Sequence, residues 1–95
     1  MIWKTKKQVL LRTLVEITGY SIKDILSDSR RDELVKARAI LIYYLRKEER
    51  MSLLAIGEFI GRDHSTIDSA IKRMESDNHL LEVFNNYKKR VYEHL

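Results

Sequence analysis

The sequence predicts an all-α fold of about six helices, and three observations predict it. The 95 residues hold three glycines and no proline, too few breakers for the many turns of an all-β sandwich. Apolar residues recur at three- and four-residue spacing along most of the chain. Capping residues and glycines fall between those apolar stripes, where helices should start and stop.

The first helix is expected over about residues 7–18, with Leu10, Leu14 and Ile17 forming one stripe. Gly19 then suits a left-handed stop. Ser21 can cap a short second helix, with Asp24 in the acidic position of a capping box, ending near Ser27. Ser27-Asp28-Ser29-Arg30-Arg31 is a polar connector. A long third helix follows over about residues 32–49. Leu34, Ala37, Leu41, Tyr44 and Leu45 recur at helical spacing, and residues 40–45 are apolar almost all round, so this helix should be central. Ser52 is a good cap for a fourth helix over about residues 53–60. Gly61 breaks it. Asp63 can cap a fifth helix running to about Ser76, burying Ile67, Ala70, Ile71 and Met74. A last helix, about residues 79–94, buries Leu80, Phe84, Tyr87 and Val91. Tyr43, Tyr44 and Tyr87 are expected at core edges, and Trp3 is expected to pack over the core.

The length allows a single domain, residues 1–95. Hydrophobic residues at 44% with 34% charged fit a folded globular domain rather than a disordered one. The absence of cysteine excludes disulfides, thiolate zinc sites and cysteine nucleophiles. The longest apolar run, residues 39–45, is far too short to span a bilayer. The basic start at Lys4, Lys6 and Lys7 is not followed by the apolar stretch and small-residue site of a signal peptide. A cytoplasmic location is the expectation, with no membrane partner.

The net charge of +4 is unevenly spread. Residues 1–31 carry seven basic and three acidic side chains, whereas residues 63–95 carry five and six. A positive field gathered in the first third is compatible with an anionic partner such as nucleic acid.

The stretch from Ser52 to Ile71 reads as a helix-turn-helix. Two short helices that cross closely need a small residue on the first, which Gly57 supplies. The turn needs a conformation that glycine tolerates, which Gly61 supplies. Asp63, His64, Ser65, Thr66, Asp68 and Ser69 are left at the exposed start of the second helix, where such a helix reaches base edges in the major groove. Hydroxyls and histidine suit phosphates and base edges, and the Thr66 methyl suits a thymine methyl. Asp63 either accepts from a cytosine amino group or caps the helix.

The string Gly61-Arg62-Asp63-His64-Ser65-Thr66-Ile67, with Ile56-Gly57 before it, resembles the signature of the C-terminal DNA-binding domain of DnaA, the bacterial replication initiator. Ile22-Lys23-Asp24-Ile25-Leu26-Ser27 resembles the short helix before that family's basic loop. Ser29-Arg30-Arg31 sits where the loop lies, and Leu34-Val35-Lys36-Ala37-Arg38-Ala39-Ile40 resembles the start of its long helix. The likeness covers about residues 9–76. It implies that Asp63, His64, Ser65 and Thr66 read the major groove or touch its phosphates, that Arg30 enters the adjacent minor groove, and that Arg38 contacts the DNA backbone. Arg31, Lys36, Arg62 and Ser69 complete the expected DNA-binding set. An arginine in a narrow A·T-rich minor groove senses its width and potential.

This chain departs from the family at three places. Asp28 and Asp32 flank the loop arginines, and each acid near a phosphate weakens binding. The segment between Gly57 and Arg62 is one residue shorter than usual, and Ala39 replaces a frequent glutamine. No G-x-x-x-x-G-K-[ST] loop is present, so no nucleotide is expected, and the chain reads as a standalone domain or a fragment without ATPase activity. His64, His79 and His94 lie too far apart in sequence to suggest a metal site. Asp63, His64 and Ser65 are consecutive, so they diverge around a helix and cannot form a nucleophile with its base. No cofactor or enzymatic role is expected. The expected partner is double-stranded DNA, with replication proteins as further partners. Two alternatives stay open: a protein-interaction module on the same fold, and a helix-turn-helix repressor with its own operator.

Overall fold

A computed structural model describes residues 5–95. The expectation for Trp3 lies outside them. Six helices follow in order: α1 (Lys6–Thr18), α2 (Ile22–Ile25), α3 (Asp32–Lys47), α4 (Leu53–Ile60), α5 (His64–Glu75) and α6 (Asn78–His94). No strand occurs among the described residues.

Local chemistry sets most boundaries. The hydroxyl oxygens of Thr5, Ser21 and Ser52 each accept from the backbone N–H three residues on, as do the carboxylates of Asp63 and Asp77. Each satisfies a donor that the first helical turn leaves unpaired. Gly19 (φ 81°) and Gly61 (φ 73°) close α1 and α4 in the left-handed region. The end of α3 differs from expectation. The helix stops at Lys47, and Arg50 takes φ 57° without being glycine. The Met51 N–H donates to the Leu45 carbonyl at 3.1 Å, and Arg46 Nη1 donates to the Met51 carbonyl at 3.0 Å, so hydrogen bonds hold the bend that no glycine marks.

α3 is the central element and touches each of the other five helices. Its residues Ala39, Ile40, Leu41, Ile42, Tyr44 and Leu45 are all buried, which accounts for the nearly all-round apolar run. α1 and α6 pack together on one side of it, and α4 and α5 on another. Tyr44 and Tyr87 are not at core edges: both lie fully inside, edge to face with ring centroids 5.7 Å apart. Tyr87 tolerates this because its hydroxyl donates to the Leu10 carbonyl at 2.8 Å. Thr13 is likewise buried, its hydroxyl donating to the Val9 carbonyl at 2.7 Å. Tyr43 remains half-buried, edge to face with Phe84.

Candidate nucleic-acid interface

α4, the turn at Gly61 and α5 form the helix-turn-helix. The Arg62 N–H donates to the Gly57 carbonyl at 2.9 Å, folding the turn back over α4. A Cβ built on Gly57 would run into the Arg62 carbonyl oxygen. The small residue expected on the first helix is thus Gly57, and what it makes room for is the backbone of the turn itself. Ile56 and Ile67 are fully buried on either side of the turn and fix α5 against the core.

Asp63, His64, Ser65, Thr66 and Ser69 all stand exposed on the first two turns of α5. Asp63 is the N-cap: its Oδ1 accepts from the Thr66 N–H at 2.9 Å and from the Ser65 hydroxyl at 3.0 Å. Those bonds, the Thr66 backbone N–H first, hold its carboxyl below the usual aspartate range. Both bonds use Oδ1, so Oδ2 takes no part in the cap.

The loop before α3 is tied down by arginines that also face this surface. Arg38 Nε donates to the Ile25 carbonyl at 2.6 Å, and its Nη2 donates to the Ser27 and Ser29 carbonyls, both at 2.7 Å. Arg62 Nη2 also donates to the Ser27 carbonyl, while its Nη1 donates to the carbonyls of Ile60 and Gly61. The Ser29 N–H donates to the Ser27 hydroxyl and the Arg31 N–H to the Ser29 hydroxyl. Burial, and then repulsion from Arg62, lower the Arg38 pKa from the ordinary arginine value. Arg38 remains charged nonetheless. Neither arginine is ion-paired among the described residues. Arg38 is thus turned toward loop carbonyls in this structure.

The loop and α5 enclose a groove of about 630 Å³ whose lining includes Arg30, Arg38, Arg62, Thr66, Ser69 and Arg73. Arg30 is exposed at its lip. Arg31 stands outside the groove lining, with Nη2 on Glu33 at 3.2 Å. Lys36 pairs with Asp32 at 3.1 Å. The structure therefore gathers Arg30, Arg38, Arg62, Thr66 and Ser69 on one groove, with Asp63, His64 and Ser65 at the adjoining helix start. Arg73 was missed by sequence reasoning. It lies four residues after Ser69 and seven after Thr66, so helical periodicity alone puts it on the same face.

Among the described residues no group of three or more His, Asp or Glu is placed to hold a metal ion, and no helix is long and apolar enough to cross a membrane. An exposed helix start beside a cationic loop, set on a glycine turn, defines a helix-turn-helix DNA-binding domain. The family model of the bacterial DnaA protein helix-turn-helix matches residues 8–74. The chain belongs to that DnaA family.

Similar proteins include the chromosomal replication initiator protein DnaA of Rippkaea orientalis, 35% identical over 89 residues, covering 88% of this chain and 20% of that protein. The initiator of Borrelia duttonii is 40% identical over 81 residues, covering 83% and 16%, and that of Picosynechococcus sp. is 45% identical over 60 residues, covering 62% and 13%. The chain thus spans a fifth or less of the length of these relatives. Membership of this helix-turn-helix family supports DNA binding as the function of this domain.

Proposed function

We propose that this domain binds double-stranded DNA sequence-specifically at a DnaA-box-like site, with α5 in the major groove and Arg30 in the adjacent minor groove. His64, Ser65 and Thr66 face base edges or the flanking phosphates, and Oδ2 of Asp63 accepts from a cytosine amino group. Arg31, Lys36, Arg38, Arg62 and Ser69 act on the sugar–phosphate backbone, fixing register while the base contacts discriminate. The domain acts in the cytoplasm without ATPase activity, in replication or its regulation, in company with replication proteins.

One observation carries this reading: the loop bearing Arg30 and the turn preceding α5 are joined through the Ser27 carbonyl, which accepts from both Arg38 and Arg62. A minor-groove arm and a major-groove helix are useful together only when their spacing is fixed, and this joint fixes it. The test is a titration of labelled duplexes carrying a DnaA box or its scrambled version, at two salt concentrations. The reading expects tighter binding to the box at both, and weaker binding to either duplex at higher salt. Equal affinity for the two duplexes would overturn sequence-specific recognition of that box.

A further inference from the structure

Asp32 is the first residue of α3, directly after the loop, and its carboxylate holds two cations. Oδ1 accepts from Arg73 Nη2 at 2.8 Å and Oδ2 from Lys36 Nζ at 3.1 Å. The three side chains are 60%, 37% and 39% exposed, so a solute can reach all of them. Arg73 belongs to α5 and shares its face with Ser69 and Thr66. The cluster therefore joins the start of α3, directly after the loop, to α5, where Arg73 lines the groove.

A carboxylate and a phosphodiester offer the same thing to a guanidinium and an ammonium: two anionic oxygens on one centre. We infer that Arg73 and Lys36 form a further DNA-phosphate site, which Asp32 occupies as an internal stand-in until DNA displaces it. Two cations against one acid leave the cluster net positive, so it attracts a phosphate while Asp32 opposes it at close range. Binding then exchanges one anion for another: Arg73 and Lys36 turn to the strand, and the Asp32 carboxylate swings into solvent. Asp32 lowers affinity in this way, and also orients Arg73 toward the groove before DNA arrives. The inference rests on the proposed docking of α5, and it adds Arg73 to the DNA-contacting set.

The test uses the same two duplexes, box and scrambled, with salt titrations of wild type, Asp32→Asn, Arg73→Ala and the double variant. A phosphate contact is blind to sequence, so its effects should be equal on both duplexes. Asp32→Asn should tighten binding several-fold. Arg73→Ala should weaken it and reduce the salt slope by about 1. Arg73→Lys, which keeps the charge, should retain the slope. The decisive reading is the coupling: Arg73→Ala should cost more in the Asp32→Asn background than in wild type. Asp28→Asn removes the other acid beside the loop and should tighten binding without changing the cost of Arg73→Ala. Urea midpoints of all variants separate binding effects from loss of fold. An unchanged salt slope in Arg73→Ala, or independent effects of Asp32→Asn and Arg73→Ala, would overturn the inference. Equal affinity for box and scrambled duplex in every protein would instead overturn sequence-specific docking and leave the coupling readable. Absence of binding by every protein would overturn both.

Discussion

Arg38 and Arg62 donate to the same acceptor, the carbonyl oxygen of Ser27. One arginine comes from the central helix and the other from the helix-turn-helix turn, so a single backbone atom joins three elements. Two like charges converge there, and four other backbone carbonyl contacts offset their repulsion.

This joint should be measurable in the absence of DNA. Hydrogen bonds from a charged donor contribute about 1.5–3 kcal/mol each when a partner is lost. Arg38→Ala is expected to destabilise the fold on the order of 2–3 kcal/mol in urea titrations. It should also speed amide exchange of Ser29 and Arg31. Arg38→Lys should recover less than half, because a single ammonium cannot span the Ile25, Ser27 and Ser29 carbonyls. A lysine variant as stable as wild type would contradict the clamp.

The two glycines of the motif should respond differently to alanine. At Gly57 the new methyl meets the Arg62 backbone carbonyl, which cannot rotate away as a side chain would. The cost is that of overpacking against backbone, at or above about 3 kcal/mol, and the shifted turn should impair DNA binding. At Gly61 nothing blocks a Cβ, and the cost is only that of the left-handed conformation, about 1–2 kcal/mol. Gly61→Asn should cost less still. Thermal melts of the three variants test the order.

The Asp63 cap predicts a pH dependence. Its carboxyl is held below the ordinary value by the Thr66 N–H, so the folded state favours the ionised form. That contribution is present above the unfolded pKa and is lost as pH falls through the lower, folded one. Asp63→Ala should therefore lower the urea midpoint at neutral pH, with the gap from wild type closing under acid. Asp32 and Glu33, whose carboxyls are also lowered, change stability with the same sign. A gap independent of pH would contradict the cap.

Tyr87→Phe keeps the ring against Tyr44 but removes the donor to Leu10. The expected loss is about 1 kcal/mol, because the Leu10 carbonyl keeps its place in the α1 ladder. Burial, and then Tyr44, push the phenol far above the ordinary tyrosine range, so it should resist alkaline titration until the protein unfolds. Ultraviolet difference spectra against pH check this.

The sequence carried local information well. Gly19, Gly61, Ser21, Ser52 and Asp63 mark helix ends through their own backbone preferences or short side chains, and those ends fall within a residue or two of expectation. Distant partnerships left no such trace. Nothing near Tyr87 in sequence indicates that its hydroxyl meets Leu10, 77 positions away. Arg62 reaches Ser27 across 35 positions and Arg73 reaches Asp32 across 41. The stretch therefore reads in sequence as a polar connector, although its carbonyls organise two arginines. The end of α3 was obscured for the opposite reason: Arg50 bends the chain where the usual residue would be glycine.

Parallel selections from random duplexes, with wild type and Arg30→Ala, test the central claim most directly. The account predicts one enriched motif for wild type with an A·T-rich end. It predicts the same motif for Arg30→Ala with only that end flattened. No enriched motif, or identical motifs from the two proteins, would contradict it.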